Sequence, residues 1–340
     1  MRPEYSLIIL TVLAGAGQGL FILLVTGDMS GFSRGSYVPP MTVLMGIGAA
    51  AALTLAGMAA SFFHLTHPER GIKAIKKWRF SWLSREVVLL PVFLGAMAAY
   101  AGMYFLHLGP MAIQTVGIGG IVVSLALYIS TAMIYGQLTF VQQWGTAFTP
   151  ANFTLTGLIC GGALVATLYE MASAPMGTTI FILRILFFLL AAGFLVKMMY
   201  YWRNQRLYSP TTIQTALGFN HPKIRQMDTG SAYPHYNTLE YCYTGLEGAW
   251  GLVKALSILF LYVFPATVVA WDYTVLMAGG QAYLAPLAAF SAIAGAFMER
   301  WLFFVEGDHV QNLYYGNYPE RTRLNPVLQA GKKDAPLPGD

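Results

Sequence analysis

The chain has 340 residues with a formal net charge of +5, and 56% of its residues are hydrophobic while only 10% are charged. Soluble domains carry roughly a quarter charged residues, so this composition excludes an ordinary soluble globular protein and is typical of a chain built for lipid. In such a chain an excess of basic residues indicates the membrane orientation or a docking partner rather than binding to nucleic acid. The two cysteines are too few for a disulfide framework or for the ligands of an iron–sulfur cluster.

Eight apolar runs follow one another along the chain, and each is near the twenty residues needed to cross the hydrocarbon core of a bilayer. Because a backbone in lipid has to satisfy its own hydrogen bonds, each run is predicted to be a helix. The first run exceeds the apolar stretch of a signal peptide and lacks a small-residue cleavage pattern, so we expect it to be retained. The sequence thus predicts an all-α, polytopic membrane protein with a transmembrane domain over residues 1–304 and a tail over residues 305–340. The predicted spans are 5–27, 41–63, 86–106, 112–136, 152–173, 178–201, 249–271 and 281–304.

The lysines and arginines lie mostly on one side of the predicted membrane. With eight spans, both termini and the loops 64–86 and 202–248 share a side, which carries fifteen of the twenty Lys and Arg residues, whereas Arg34 stands alone on the other side. The positive-inside rule therefore predicts that both termini and the two long loops are cytoplasmic. A basic surface that docks an acidic partner subunit would give the same distribution, and both explanations can hold together.

The stretch HLTHPERGIKAIKKWRFSWLSRE, residues 64–86, interrupts the apolar pattern with a concentration of charge. Its residues Ile72, Ile75, Trp78 or Arg79, and Trp82 recur at helical spacing with lysines between them, which predicts a short helix lying at the level of the lipid head groups. An anchor attracted to anionic lipid explains that pattern without further function. His64, at the end of the second span, can donate a hydrogen bond and titrates near neutral pH, as a quinone site requires. A lone histidine in this position is more often an interfacial residue without chemistry.

HLTHPER followed by SWLSRE resembles the pattern of the DMSO reductase membrane-anchor family, and ERWLFFVEGDHVQNLYY near the last span supports the resemblance. In that family the anchor carries no cofactor of its own, and it exchanges electrons with a bound quinone. The resemblance implies that His64 contacts the quinone and that Arg70 matches the family arginine, while Thr66 stands where the family usually has glycine. The quinone-binding residues expected here are His64, Thr66, Arg70, Trp78, Ser81, Ser84 and Glu86.

The resemblance also implies partners: a ferredoxin-like iron–sulfur subunit with four clusters and a molybdopterin catalytic subunit. Because the matching loop is basic and predicted to be cytoplasmic, it favours the branch with a cytoplasm-facing catalytic unit, in which sulfite is oxidised. This chain is then the non-catalytic subunit that passes the electrons to ubiquinone or menaquinone in the bacterial inner membrane. The residues expected to dock the partner are Lys73, Lys76, Lys77, Arg79, Arg85 and His309.

Three other interpretations stay open. One is the anchor of a DMSO- or polysulfide-reductase-type complex that oxidises quinol. A purely structural anchor is the second, and it differs from the favoured interpretation only in binding no quinone. The third is a membrane transporter without a redox role. Transporters often show paired repeats and helices broken at the middle of the membrane. The glycine-rich spans of this chain more simply permit close helix packing.

The remaining charges predict two further features. Glu170 and Arg184 flank the short turn 174–177 on adjacent spans and are expected to form a structural ion pair, because intramembrane charges usually pair. Glu299 and Arg300, near the end of the last span, are expected either to belong to a docking or proton-entry cluster or to be helix-end charges solvated at the interface. The spans hold no histidine pair to ligate haem and no metal-site motif. They also hold no evident chain of acids, so we expect an electroneutral quinone step.

Overall fold

The computed structural model describes residues 2–62, 71–207, 213–219, 221, 224, 227–228, 243 and 247–311. Within these residues all regular structure is helical, and eight helices are long and apolar enough to cross a membrane. The predicted all-α, eight-span fold is therefore confirmed. The eight helices are α1 (Tyr5–Arg34), α2 (Pro40–Phe62), α3 (Trp82–Phe105), α4 (Pro110–Gly136), α5 (Phe148–Met171), α6 (Met176–Asn204), α7 (Trp250–Met277) and α8 (Ala285–Val305).

Several helices run beyond the predicted spans, and in α1 the polar residue beyond the predicted end finds its partners inside the bundle. α1 continues past its predicted end at residue 27 and carries Asp28, which is buried. The hydroxyl of Tyr100 donates a hydrogen bond to Asp28 Oδ2 at 2.5 Å, and the hydroxyl of Tyr104 donates to the same oxygen. A hydropathy pattern ends the span at this acid, whereas the packed structure satisfies it and lets the helix continue.

The centre of the bundle is formed by α1 and α5. α1 contacts α2, α4, α5, α6 and α8, and α5 contacts most of the same helices. The two backbones approach closely at glycines: a Cβ placed on Gly161 would lie 2.1 Å from the carbonyl carbon of Gly19, and one placed on Gly19 would lie 2.1 Å from the carbonyl oxygen of Gly157. Small residues permit such close approach, which lets dispersion contacts hold helices together where lipid provides little hydrophobic drive.

The bundle has two distinct ends. The long-loop end is the end at which α2, α4, α6 and α8 finish, and it carries the described residues 71–81, 137–147, 205–207 and 306–311. At the short-loop end lie the connections 35–39, 106–109, 172–175 and 278–284. The connection 137–147 is packed onto the helix ends beside it: Trp144 Nε1 donates to the carbonyl of Phe303 at 2.8 Å, and Arg203 donates to the carbonyl of Gln142 at 3.1 Å.

α7 is not a uniform α-helix. Residues Leu259–Val263 form a π turn between the α-helical segments Trp250–Ile258 and Phe264–Met277. The hydroxyl of Ser291 on α8 donates to the carbonyl of Phe260 at 2.7 Å, so α8 satisfies a backbone acceptor within the π turn. A Cβ on Gly295 would lie 2.4 Å from the backbone nitrogen of Leu261, so the same turn is packed backbone to backbone against α8.

Candidate functional site

Four of the seven predicted quinone-binding residues, Trp78, Ser81, Ser84 and Glu86, lie in the described part of the chain. His64, Thr66 and Arg70 lie outside the described residues, so their roles stay predictions. The described residues Phe62 and Gly71 bound that gap at the long-loop end, where α2 packs beside α3.

The chain re-enters as a short helical turn, Gly71–Ala74, that tightens into a 3₁₀ turn at Ile75–Lys77. This element is shorter than the interfacial helix that the sequence predicts. A turn follows and exposes Trp78 and Phe80, whose side chains are 51% and 86% accessible. The predicted docking residues Lys73, Lys76, Lys77 and Arg79 are all exposed, which leaves their charges accessible to a partner or to lipid head groups.

Arg85, also predicted to dock the partner, holds this turn in place. Its Nε donates to the carbonyl of Trp78 at 3.1 Å and its Nη2 donates to the carbonyl of Arg79 at 2.8 Å. Its guanidinium also stacks over Trp82 with 4.0 Å between Cζ and the ring centroid. The Ser81 hydroxyl accepts a weak hydrogen bond from the backbone N–H of Ser84 at 3.4 Å and so caps α3. These contacts fix the junction through which the segment enters the bundle.

Glu86 is buried within the bundle one turn into α3. Its Oε1 accepts a hydrogen bond from the hydroxyl of Thr131 on α4 at 2.6 Å. Beside it lies a cavity of about 10 Å³, which Gln18, Tyr128 and Phe153 also line. That volume holds about one water, and Gln18 Oε1 has no hydrogen-bond partner among the described residues, so a water fits there chemically as well as sterically. The cavity is too small for a quinone ring.

A second charged cluster lies deeper between α6 and α8. Lys197 forms an ion pair with Glu299, and their side chains are only 2% and 1% accessible. Arg300 Nη2 lies 3.6 Å from Glu299 Oε2, and its Cζ lies 3.5 Å from the ring centroid of Phe153. This burial excludes the interpretation of Glu299 and Arg300 as helix-end charges solvated at the interface. The pairing of Lys197 with Glu299 was not among the sequence predictions. The sequence does contain a signal for this pair, because a basic and an acidic residue in separate apolar spans are expected to pair with each other.

The predicted ion pair between Glu170 and Arg184 is wrong. Glu170 Oε2 accepts a hydrogen bond from the backbone N–H of Ala285 at 3.0 Å, at the start of α8. Arg184 lies on an exposed face of α6 and donates from Nη2 to the hydroxyl of Tyr273 at 3.0 Å. Two residues that flank one turn on adjacent helices meet only if both side chains point toward the other helix. Here Glu170 contacts α8 and Arg184 contacts α7 instead.

His309, the last predicted docking residue, lies just beyond α8 at the long-loop end. Its ring packs against Phe140 with 4.9 Å between centroids, and its Nδ1 accepts a hydrogen bond from the backbone N–H of Gln311 at 3.1 Å. Burial lowers the pKa of His309. The side chain therefore contributes to the surface of this end mainly as a neutral, packed imidazole near physiological pH.

Comparison with known proteins is consistent with this architecture. The family model described as DMSO reductase anchor subunit matches residues 1–316. A sulfite dehydrogenase subunit of Allochromatium vinosum is 34% identical, over 93% of this chain and 99% of the relative. The anaerobic dimethyl sulfoxide reductase chain YnfH of Escherichia coli is 27% identical, over 57% of this chain and 67% of the relative.

Proposed function

The chain belongs to the DMSO reductase anchor subunit family, and we propose that it is the quinone-reducing membrane subunit of a complex that oxidises sulfite. Membership of the family makes it a multi-pass membrane anchor with catalytic and electron-transfer partner subunits. The observation that carries the choice of sulfite is the similarity to the Allochromatium vinosum sulfite dehydrogenase subunit, which extends along nearly the whole of both chains. The similarity to the dimethyl sulfoxide reductase chain is lower and covers less of the sequence.

In this proposal the chemistry on sulfite belongs to a molybdopterin subunit, and a ferredoxin-like iron–sulfur subunit transfers two electrons to the membrane. The exposed Lys73, Lys76, Lys77 and Arg79 supply a basic seat for that iron–sulfur subunit at the long-loop end. The excess of Lys and Arg in the same end's loops supports an orientation in which this end faces the cytoplasm of a bacterial inner membrane.

A ubiquinone or menaquinone, when bound, supplies the acceptor of the two electrons. His64 and Arg70 of the loop between α2 and α3 would hold its head group by hydrogen bonds. The exposed ring of Trp78 lies on the same connection and provides an apolar surface at the level where a head group meets its isoprenoid tail. Glu86 would hold a proton for the reduced quinone and deliver it through a water in the adjoining cavity, which is too small for the ring itself.

The two serines have different parts in this arrangement. Ser84 is 3% accessible, so it serves the packing of α3 rather than the quinone. Ser81 is partly exposed at the helix start, and it can contact a head group only at the expense of the cap that it provides to Ser84. Among the described residues the geometry therefore favours Trp78 and Glu86 over the two serines, while His64 and Arg70 enter the proposal from the family pattern.

The test is sulfite-driven quinone reduction by membranes that carry the assembled complex, compared between wild type and His64→Ala. The proposal expects quinone reduction to fall by roughly tenfold or more, while sulfite oxidation with a soluble dye is retained. His107→Asn is the matched control, because His107 is an exposed histidine at the opposite end and its φ of 50° is tolerated by asparagine. Quinone reduction that is equal in His64→Ala and wild type would remove the quinone site from this loop. If sulfite drives neither variant, and quinol instead drives reduction of an S-oxide, the complex is of the DMSO reductase type.

A further inference from the structure

A cavity of about 280 Å³ opens at the long-loop end between α6, α7 and the residues that follow α8. Tyr201, Asn204, Lys254 and Glu306 line it, and none of them belongs to the proposed quinone site. Lys254 and Glu306 form an ion pair whose side chains are 35% and 11% accessible, so the mouth of the cavity meets solvent. A space of this size with charged and amide walls holds several waters.

One aromatic ring connects this cavity to the buried charges. The ring centroid of Tyr201 lies 5.0 Å from Lys254 Nζ on the cavity side and 4.9 Å from Lys197 Nζ on the inner side. The Tyr201 side chain is buried, and its hydroxyl makes no hydrogen bond within the described part of the chain. Lys197 in turn is paired with Glu299. One aromatic ring, that of Tyr201, therefore lies between the ion pair at the mouth and the buried charges.

The inner end of the series is under-satisfied. Glu299 Oε2 and the Nε and Nη1 atoms of Arg300 are buried and lack hydrogen-bond partners among the described residues, and so does Asn152 Oδ1 on α5. Leaving such groups dry costs several kcal/mol, so internal water is the expected partner. Arg300 packs on the ring of Phe153, and Phe153 is also a wall of the one-water cavity beside Glu86. A single aromatic ring thus separates the two polar regions.

We propose that these groups form a hydrated proton path that starts at the cavity, passes Tyr201 and the Lys197–Glu299–Arg300 cluster, and reaches Glu86 around the ring of Phe153. This inference rests on the proposed function, because the path supplies the two protons that a quinone takes up with two electrons to become quinol. The electrons come from the sulfite-oxidising partner and the protons from water at the long-loop end, and Glu299 and Glu86 return to their starting protonation states after each transfer. Electrons and protons then enter from one side, so no net charge crosses the membrane.

The experiment uses the purified complex in lipid nanodiscs and measures sulfite-driven reduction of a short-chain quinone in H₂O and D₂O. Tyr201→Phe is the conservative variant, since it removes a hydroxyl that makes no hydrogen bond in the described chain. Its matched control is Tyr169→Phe, whose hydroxyl is equally buried and unpartnered among the described residues but lies toward the short-loop end. Glu299→Gln is the stronger variant, and Asp28→Asn is its control as a buried acid distant from the path.

We expect Glu299→Gln to slow quinone reduction by roughly tenfold or more, and Tyr201→Phe to slow it less while raising the solvent isotope effect above that of wild type. Formic acid, small enough to enter the cavity, should restore part of the lost rate. Quinone affinity and dye-linked sulfite oxidation should stay at wild-type levels in both variants, and both controls should behave as wild type.

The outcomes separate the two proposals. If wild type fails to reduce quinone with sulfite, the proposed function is wrong, and the path, which rests on it, is wrong as well. If wild type reduces quinone and Tyr201→Phe matches Tyr169→Phe in rate and isotope effect, the path is wrong and the proposed function stands. Should Glu299→Gln fail to assemble, Tyr201→Phe alone decides. A variant that weakens quinone affinity instead of proton delivery would show that the cavity is a quinone pocket, which also overturns the path.

Discussion

The buried cluster of α6 and α8 holds two cations and one anion, so its members should not contribute equally to stability. Replacing Glu299 with glutamine leaves Lys197 and Arg300, each 2% accessible, without the carboxylate that lies beside both. Breaking a buried pair in this way costs about 3–5 kcal/mol. Replacing Lys197 with methionine leaves Glu299 still beside Arg300 at 3.6 Å. This change loses a charge-assisted hydrogen bond of about 1.5–3 kcal/mol, and part of that loss is offset because one fewer charge is buried.

We therefore expect Glu299→Gln to lower the free energy of unfolding by at least about 1 kcal/mol more than Lys197→Met, a roughly fivefold difference in the folded-to-unfolded ratio. The assay is unfolding of the chain in mixed micelles by titration with a denaturing detergent. Lys254→Met is the control, since its ion pair with Glu306 is partly exposed and should be worth no more than about 1 kcal/mol. A larger cost for Lys197→Met than for Glu299→Gln would refute the charge balance inferred for this cluster.

Three further predictions use the same unfolding assay. Gly161→Ala places a methyl group against backbone and should cost about 1–3 kcal/mol, whereas Gly48→Ala enters open space and should be neutral or stabilising; equal effects would contradict the close crossing of α1 and α5. Burial lowers the pKa of His309, so the unfolded chain binds the proton more tightly than the folded chain does. The stability that this residue contributes is therefore present above its ordinary pKa of 6.5. That stability is lost as the pH falls through 6.5 toward the lowered pKa of the folded chain. The stability difference between wild type and His309→Gln should therefore change between about pH 7.5 and about pH 5.5, and a constant difference would show that the ring is not protected. A double-mutant cycle of Glu170→Gln and Arg184→Met should give a coupling energy below about 0.5 kcal/mol, as expected for side chains with separate partners.

The eight helices could be predicted because a backbone in lipid has to make its own hydrogen bonds. Every span must therefore be a helix, and its length and hydropathy are visible in the sequence. The positions of polar residues along a span could be predicted as well, but their partners could not. Lys197 and Glu299 are 102 residues apart in sequence and meet only because of the rotation of α6 and α8 about their axes. That rotation depends on close packing across the bundle, which a single sequence does not encode locally.

The incorrect predictions have the same cause, because they also depended on packing between helices. Glu170 and Arg184 are neighbours on a linear map of the spans, yet one faces the start of α8 and the other lies on the outer surface. Hydropathy ends α1 too early and so leaves Asp28 outside the span, although two tyrosines of α3 satisfy this acid. For the candidate site, the sequence indicated Glu86 through a family pattern but not its partner Thr131 on α4 or the water-sized cavity beside it.

The π turn of α7 has a consequence for how the chain tolerates insertion and deletion. A π turn accommodates one residue more than an α-helix over the same rise, and each residue of an α-helix advances the helix by about 100°. Deleting one residue from Leu259–Val263 would restore regular helix and rotate the segment Trp250–Ile258 relative to α8. Lys254 would then swing away from Glu306 and the wall of the cavity would be lost. The extra residue thus sets the rotation of one half of α7 relative to the other. A sequence that loses this residue without compensation should keep its eight spans but lose the cavity that Lys254 and Glu306 line.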